Sequence, residues 1–339
     1  MNQKLKTTVL GAGSWGIALS LVLDHNGHQV KLWEFRPDAA ERLQKTRDAK
    51  EFLPGIILPP SIQVINDFQL ACADADILII AVPSHVVRSV GERLNQIHFN
   101  NPPVLINVAK GIENETLMRM SEVLQQTIAW ANPTNIVTLS GPSHAEEVSR
   151  KIPTAIVSAS KNMAAAELVQ QTFMNEFFRV YTNSDIVGVE LGGALKNIIA
   201  IAAGICDGAG FGDNTKAALQ PRGLVEIVRL GVAMGADPIT FAGLSGMGDL
   251  IVTCMSRHSR NRYVGEQIGK GRKLDDILKE MVMVAEGVKT TKSAYALSKK
   301  YQVEMPITEQ VYQILFQGKD AKVALKELML RGPKEERWG

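Results

Sequence analysis

The residue with the sharpest chemical signature in the sequence is Lys196, a lysine inside an otherwise apolar stretch. It stands in Gly-Gly-Ala-Leu-Lys-Asn-Ile-Ile-Ala-Ile, whose pattern predicts a helix that is buried on nearly all sides. Burial penalises the charged amine, so the pKa of such a lysine falls and the amine can accept a proton near neutral pH. Alternatively, the long side chain could reach solvent along its own stem.

Three further candidate groups lie at the ends of predicted buried strands. Val82-Pro83-Ser84 ends the run 76–82, Lys110-Gly111 follows the apolar run 104–109, and Gly141-Pro142-Ser143 follows the run 135–140. Because ligands of open parallel sheets bind beyond the carboxyl ends of the strands, we expect these groups to gather at one crevice. The alternatives are a solvated loop lysine at Lys110 and an ordinary turn at the glycine–proline pair.

Two later stretches could bind a phosphate or another polar ligand. One is Gly246-Met247-Gly248-Asp249, a glycine-flanked acid that is followed by Thr253. The other is the run 257–262, in which Ser259, Arg260 and Asn261 offer several hydrogen-bond donors. An arginine fork matches the oxygens of a phosphate in a bidentate way. A run of charged residues is equally compatible with a solvated helix face.

The element that must position this chemistry begins near the N-terminus. Residues 7–10 predict a strand, and Gly11, Gly13 and Gly16 then spell G-x-G-x-x-G at the start of a predicted helix. In a dinucleotide site these glycines allow the tight turn, the close approach of a pyrophosphate and close packing of helix on strand. Glu34 ends the next predicted strand, close to the position about 20 residues on that binds a ribose.

Composition excludes several other classes of protein. The chain has 339 residues, of which 45% are hydrophobic and 21% charged, as in a globular protein. A net charge of +2 gives no strong field that would favour nucleic acid or an anionic membrane. Three widely spaced cysteines without a C-x-x-C pair favour a reducing, cytoplasmic location. The longest apolar run, near 198–206, is too short for stable membrane insertion, and no motif predicts a metal site.

The pattern of elements predicts two domains. In the first half apolar strands alternate with helical segments, which favours a doubly wound α/β domain with a mainly parallel sheet. Strands are predicted near 7–10, 29–33, 62–65, 76–82, 104–109, 135–140, 155–158 and 179–181. Helices are predicted in the second half near 184–206, 215–235, 259–269, 274–281, 287–300, 306–317 and 319–330. We therefore expect a nucleotide-binding domain at 1–183 and an all-helical domain at 184–332.

In combination, the motifs resemble those of bacterial NAD(P)-dependent glycerol-3-phosphate dehydrogenases over nearly the whole chain. The resemblance is carried by Gly-Ala-Gly-Ser-Trp-Gly at 11–16, Ala-Lys-Gly at 109–111, Gly-Pro-Ser-His-Ala-Glu-Glu at 141–147, Glu-Leu-Gly-Gly-Ala-Leu-Lys-Asn at 190–197, Gly-Met-Gly-Asp-Leu at 246–250, Ser-Arg-Asn at 259–261 and Val-Ala-Glu-Gly at 284–287. It implies a Rossmann domain, a helical domain of the 6-phosphogluconate dehydrogenase C-terminal type and a homodimer. It also implies that the protein interconverts sn-glycerol 3-phosphate and dihydroxyacetone phosphate to supply phospholipid synthesis.

The resemblance also implies roles for individual residues. Lys196 would be the proton acceptor, and Lys110 would contact both cofactor and substrate. Further cofactor contacts would come from Ser14, Trp15, Ala145, Arg260, Val284 and Glu286, and further substrate contacts from Gly141, Ser143, Asp249, Ser259, Arg260 and Asn261.

The sequence leaves the cofactor preference open. Glu34 should repel a 2′-phosphate and favour NAD, whereas Arg36 could receive that phosphate and favour NADP. Arg36 also matches the position that lies by the adenosine ribose in the family.

Two other functions remain compatible with the sequence. One is a related two-domain reductase of the β-hydroxyacid or ketopantoate type, which acts on a carboxylate substrate. The other is a non-catalytic regulator that senses NAD(H), although such a regulator would not need a lysine in an apolar helix.

Overall fold

A computed structural model describes residues 4–281 and 283–336, which fall into two compact units. The first unit contains the residues up to Ala109 together with Met120–Ile186. The second contains Lys110–Arg119 together with the residues from Val187 onward. The segment Lys110–Arg119 therefore belongs to the second unit, although the residues before and after it in the chain belong to the first unit.

The first unit is built on a sheet that has eight strands within the described residues. They are β1 (Lys6–Leu10), β2 (Gln29–Trp33), β3 (Gln63–Ile65), β4 (Ile77–Ile80), β5 (Val104–Asn107), β6 (Ile136–Ser140), β7 (Thr154–Ala159) and β8 (Phe178–Asn183). Their order is β3-β2-β1-β4-β5-β6-β7-β8, and every neighbouring pair is parallel except β6 with β7. The first six strands follow the doubly wound Rossmann order, so the predicted fold class is confirmed.

Helices cover this sheet because its central strands are apolar on both faces. All four residues of β4 and all five of β6 are buried. The helices of this unit are α1 (Ser14–His25), α2 (Pro37–Thr46), α3 (Phe68–Cys72), α4 (Val87–Leu94), α5 (Met120–Thr127), α6 (Ala145–Val148) and α7 (Met163–Phe173). Asp67 and Asn162 cap α3 and α7 by accepting bonds from backbone N–H groups, whereas the N-cap of α1 is Gly13, which has no side chain to accept such a bond.

The second unit is helical throughout its longer elements. They are α8 (Ile186–Ala209), α9 (Asp213–Ala233), α10 (Asp249–Met255), α11 (Arg260–Gly269), α12 (Leu274–Glu280), α13 (Glu286–Lys300), α14 (Pro306–Gln317) and α15 (Ala321–Met329). Helix α8 runs through the core of this unit. Among the described residues it is the one helix long and apolar enough to cross a membrane, but 94% of its most apolar window is buried inside the protein. The apolar helix is thus longer than the run near 198–206 suggested.

An irregular turn precedes α10. A 3₁₀ helix at Pro238–Ala242 is followed by one turn of π-helix at Leu244–Gly248, which leads directly into Asp249. Single π-helical turns occur often at functional sites, and this one was not predicted. A Cβ atom added at Gly246 would lie 2.2 Å from the carbonyl oxygen of Phe241, so the turn requires glycine there.

Candidate active site

Lys196 is almost completely buried in the second unit. Its side chain is 7% exposed, and its Nζ donates to Oδ1 of Asp249 and to Oγ1 of Thr253, each at 2.6 Å. These two partners lie on α10, four residues apart and therefore on one face of the helix. The prediction of a buried lysine on α8 agrees with this position, and the alternative of a solvent-exposed amine does not.

Asp249 joins the two lysines that the sequence analysis singled out. Its carboxylate is 2% exposed, and while Oδ1 accepts from Lys196, Oδ2 accepts from Nζ of Lys110 at 2.6 Å. Lys110 is more open, with 19% of its side chain exposed. One buried carboxylate thus holds two ammonium groups side by side, and one of them lies near solvent.

The pKa of Lys196 is lowered to about 8, first because burial removes water from the ammonium and then because Lys110 is a nearby cation. Asp249 opposes this shift but does not cancel it. Burial alone would raise the pKa of Asp249, yet Lys110 and Lys196 together hold it below its ordinary value. The cluster therefore pairs a permanent carboxylate with an amine that can gain or lose a proton near neutral pH.

The π-helical turn and α8 together fix the position of Asp249. A Cβ atom at Gly192 would lie 2.7 Å from the carbonyl oxygen of Ser245, so the glycine lets α8 approach the turn closely. Gly192 lies one turn before Lys196 on the same helix. Glycine at 192 is thus explained by the close contact of α8 with the turn that leads into Asp249.

The predicted phosphate-binding residues lie around the start of α11. Ser259 caps this helix by accepting from the N–H of Arg262 at 3.2 Å, and Arg260 is exposed in its first turn. Asn261 donates through Nδ2 to Oδ1 of Asn197 at 2.9 Å and accepts through Oδ1 from the N–H of Gly287 at 2.9 Å. Asn261 therefore ties α11 to the residue next to Lys196.

Asn197 and Gly287 are two partners of Asn261 that the sequence analysis did not single out. A Cβ atom at Gly287 would lie 2.7 Å from the carbonyl oxygen of Asn197. The sequence could have indicated Asn197, because it follows Lys196 in an apolar helix and a buried amide side chain is normally hydrogen-bonded.

The glycine turn of the first unit fits a dinucleotide. A Cβ atom at Gly11 would lie 2.6 Å from the carbonyl oxygen of Ala81, and one at Gly16 would lie 1.9 Å from that of Gly11. Within residues 4–281 and 283–336, no atom lies within 4 Å of a Cβ atom added at Gly13, which is the N-cap of α1. There is thus room beside the start of α1, and the partial positive charge of a helix N-terminus suits a pyrophosphate.

Two other predicted cofactor contacts lie beside this turn. Ser14 is buried in the first turn of α1. The indole Nε1 of Trp15 is shielded from solvent and has no hydrogen-bond partner within the described residues. This unused donor is compatible with a ligand contact at the helix end.

Glu34 and Arg36 are bound to each other. The Arg36 side chain donates through Nε to Oε1 of Glu34 at 3.0 Å and through Nη1 to Oε1 of Glu51 at 2.9 Å. The backbone N–H of Arg36 also donates to Oε1 of Glu34. Glu34 itself is 4% exposed. The guanidinium that could receive a 2′-phosphate is thus held between two carboxylates.

The remaining predicted contacts are distributed over both units. Gly141 has a φ of +151°, and a Cβ atom there would lie 2.9 Å from Cα of Ile156, so the position requires glycine. In the same unit Ser143 donates to the carbonyl oxygen of Gly141, and Ala145 is buried at the start of α6. Val284 and Glu286 are half-buried in the second unit, where Glu286 begins α13. The part of the chain that the structure describes contains no group of three or more histidine, cysteine or acidic side chains that could hold a metal ion.

Family models match both halves of the chain. A model described as the N-terminus of NAD-dependent glycerol-3-phosphate dehydrogenase matches residues 6–166, and one described as its C-terminus matches residues 185–326. A protein of Prosthecochloris aestuarii named glycerol-3-phosphate dehydrogenase [NAD(P)+] is 54% identical over 329 residues, which is 97% of this chain and 99% of that protein. The chain belongs to the NAD-dependent glycerol-3-phosphate dehydrogenase family. The resemblance inferred from the motifs is confirmed.

Other members of the glycerol-3-phosphate dehydrogenase family agree in sequence and fold. The Bacillus subtilis protein of the same printed name is 53% identical over 98% of this chain and 96% of its own length. The crystal structure of glycerol-3-phosphate dehydrogenase from Coxiella burnetii has a TM-score of 0.92 and 35% identity, and the match covers 97% of this chain and 99% of that one. The two-part architecture is therefore that of the family.

Proposed function

We propose that this protein interconverts sn-glycerol 3-phosphate and dihydroxyacetone phosphate with NAD(H) or NADP(H). The observation that carries the proposal is the buried cluster in which Asp249 holds both Lys196 and Lys110 at 2.6 Å. The interconversion of an alcohol and a ketone requires a proton carrier, and a cation beside it stabilises the negative charge that develops on the oxygen; the cluster can supply both. A regulator that only senses NAD(H) has no use for a costly buried amine.

Lys196 is the proton carrier in this proposal. In the oxidation direction its neutral amine takes the hydroxyl proton of glycerol 3-phosphate as C2 becomes a carbonyl. In the reduction direction its ammonium returns that proton to the oxygen on C2. Because the pKa of Lys196 is about 8, both protonation states are accessible near neutral pH. When bound, the nicotinamide supplies or accepts the hydride.

Lys110 and the start of α11 position the substrate. Lys110 is partly exposed beside Asp249, so its ammonium can stabilise negative charge on the reacting oxygen and contact the cofactor. Arg260, exposed at the first turn of α11, can bind the phosphate together with the backbone N–H groups of that helix end. Holding the phosphate there uses binding energy to orient C2 for reaction. In this proposal Gly141 and Ser143 complete the substrate site.

The same reasoning extends to the cofactor. Gly11, Gly13 and Gly16 would hold its pyrophosphate, with Ser14, Trp15, Ala145, Val284 and Glu286 as further contacts. The guanidinium of Arg36 forms ion pairs with Glu34 and Glu51. We therefore infer that the protein prefers NAD(H) to NADP(H). An added 2′-phosphate would have to approach two carboxylates to reach that guanidinium.

Several broader features belong to the same proposal. Residues 1–183 would act as the NAD(P)-binding domain and residues 184–332 as the substrate-binding and catalytic domain. The protein would work in the cytoplasm as a homodimer and supply glycerol 3-phosphate for phospholipid synthesis. The names of its relatives in Prosthecochloris aestuarii and Bacillus subtilis support the activity.

A direct assay tests the proposed activity. Purified protein is mixed with dihydroxyacetone phosphate and either NADH or NADPH, and the loss of reduced-nicotinamide absorbance is followed. With NADH carrying deuterium at the transferable position, mass spectrometry should find one deuterium in the glycerol 3-phosphate formed. If the protein reduced ketopantoate and did not reduce dihydroxyacetone phosphate, the alternative function, a reductase that acts on a carboxylate substrate, would be favoured.

A further inference from the structure

Lys110 belongs to a loop that is folded on itself. Residues 110–119, here called the Lys110 loop, connect β5 to α5, both of which lie in the first unit. Within the loop Ile112 and Arg119 form an antiparallel bridge, and the N–H groups of Glu113 and Leu117 close it by donating to Met118 and Glu113. Yet the loop belongs to the helical unit, so its position there must come from contacts with helices.

One anchor of the Lys110 loop lies near its start and combines apolar packing of Ile112 with hydrogen bonds from Ser293. Ile112 is 3% exposed and packs in the core of the helical unit. The hydroxyl of Ser293, on α13 and 1% exposed, has one proton to donate and lies within hydrogen-bonding distance of two acceptors, the carbonyl oxygen of Ile112 at 3.1 Å and Oδ1 of Asn114. These contacts hold the backbone two residues away from Lys110.

The other anchor is a buried ion pair at the end of the loop. Nη1 of Arg119 donates to Oε2 of Glu190 at 2.6 Å, and the two side chains are 11% and 4% exposed. Glu190 lies on α8, six residues before Lys196. The helix that carries the buried amine therefore also holds the far end of the loop that carries the second lysine.

We propose that Glu190 and Ser293 are positioning residues, which hold the Lys110 loop on the helical unit so that the ammonium of Lys110 stays on Asp249 beside Lys196. This inference rests on the proposed function and deepens it. Neither side chain is assigned a contact with substrate or cofactor. Their effect on the reaction is transmitted through the backbone of the loop.

The proposal has a chemical consequence at Lys196. The charged and titratable groups that act on its amine are Asp249 and Cys254 from α10 and Lys110 from the loop. The charge of Lys110 helps to lower the pKa of Lys196, and the charge of Asp249 raises it. If the loop loosens, Lys110 withdraws, and the pKa of Lys196 must rise because a repelling cation has been removed.

The test compares Ser293→Ala and Glu190→Gln with the wild type in reduction of dihydroxyacetone phosphate. Reduction needs the protonated amine, so its rate falls as pH rises through the pKa of Lys196. Each variant should lower kcat/KM about tenfold, because Lys110 is misplaced. In each variant the pH at which the rate of reduction begins to fall should also be higher than in the wild type, by about half a pH unit or more. Binding of NADH should not change.

A matched control separates positioning from loss of stability. Glu226 is also a buried acid of the helical unit, 2% exposed, and it accepts from the N–H groups of Ile307 and Thr308. Glu226→Gln should lower the melting temperature yet leave the pH at which the rate of reduction begins to fall unchanged. If Ser293→Ala and Glu190→Gln behave like this control, the proposal is wrong. Should Glu190→Gln fail to fold, Ser293→Ala decides alone, because it removes only a hydroxyl group.

Hydrogen exchange gives a readout that does not depend on activity. The amides of residues 110–119 should exchange faster in both loop variants than in the wild type, and those of α14 should not. Unchanged exchange in the loop would overturn the anchoring even if activity fell. If the wild type did not turn over dihydroxyacetone phosphate, the proposed function would fail, while the exchange result would still test the anchoring.

Discussion

The Nζ atom of Lys196 lies 2.6 Å from Oδ1 of Asp249, and both side chains are almost completely buried. Removing a lysine and an aspartate from water is costly, and their attraction offsets this cost only when the geometry is good. The second oxygen of the carboxylate binds Lys110, so one negative charge serves two positive ones. Burial first, and the charge of Lys110 second, lower the pKa of Lys196 to about 8, so its amine can take either protonation state near neutral pH.

Replacing Lys196 with alanine should remove most of the turnover. The variant lacks the proton carrier, so kcat should fall by about 100-fold or more, as expected for the loss of a general acid or base. Binding of NADH, measured by fluorescence titration, should stay within about twofold, because this residue is not among the predicted cofactor contacts. Lys319→Ala is the matched control, since Lys319 is a largely buried lysine paired with Glu327. Near wild-type turnover in Lys196→Ala would exclude the role proposed for this residue.

The pH dependence should have opposite signs in the two directions. Oxidation of glycerol 3-phosphate needs the neutral amine, so its kcat should rise with pH and level off above about 8. Reduction of dihydroxyacetone phosphate needs the ammonium, so its kcat should fall over the same range. Initial rates at saturating substrate between pH 6 and about 10 test both. If kcat for oxidation and kcat for reduction both rose, or both fell, with increasing pH, a single proton carrier would be excluded.

Asp249→Asn should weaken the fold as well as the reaction. The substitution leaves two ammonium groups facing each other in a buried site, and removing one partner of a buried ion pair costs about 3–5 kcal/mol. The melting temperature should fall clearly. The residual activity should change with pH over a lower pH range than in the wild type, because the carboxylate no longer raises the pKa of Lys196. Asp276→Asn, at an exposed ion pair on α12, should change neither property. Equal stability of both variants would contradict this description of the cluster.

Freeing Arg36 should change the cofactor preference. Glu34→Gln combined with Glu51→Gln removes the two carboxylates that bind the guanidinium. Arg36 can then bind a 2′-phosphate, so kcat/KM for NADPH should rise relative to NADH by about tenfold, equivalent to about 1.4 kcal/mol. Adding Arg36→Ala to the double variant should cancel the gain. A gain that persists without the arginine would show that repulsion alone sets the preference.

Most of the fold could be predicted because its elements have strong local patterns. Buried strands such as β4 read as continuous apolar runs, and all eight strands lie where the sequence predicted them. The π-helical turn at Leu244–Gly248 could not be predicted in the same way, because its shape depends on glycine contacts with Phe241 and with α8. The sequence analysis also assigned no helix at the positions of α3, α5, α6, α7 and α10.

The chemistry at Lys196 could be predicted from burial alone, but its partners could not. Asp249 lies 53 residues further along the chain and Lys110 lies 139 residues before Asp249, so only the fold brings the three together. The sequence indicated that Asn261 would be a ligand contact, and the structure adds its bonds to Asn197 and Gly287. The ligand contacts themselves stay predictions.

The most direct test of the account is a crystal structure of the protein with dihydroxyacetone phosphate and a reduced nicotinamide cofactor. We expect the ketone oxygen of the substrate within hydrogen-bonding distance of Nζ of Lys196, with Lys110 on the same oxygen or beside it and the phosphate at Arg260. A substrate bound with its ketone away from Lys196, while the buried amine keeps only its contacts with Asp249 and Thr253, would contradict the account.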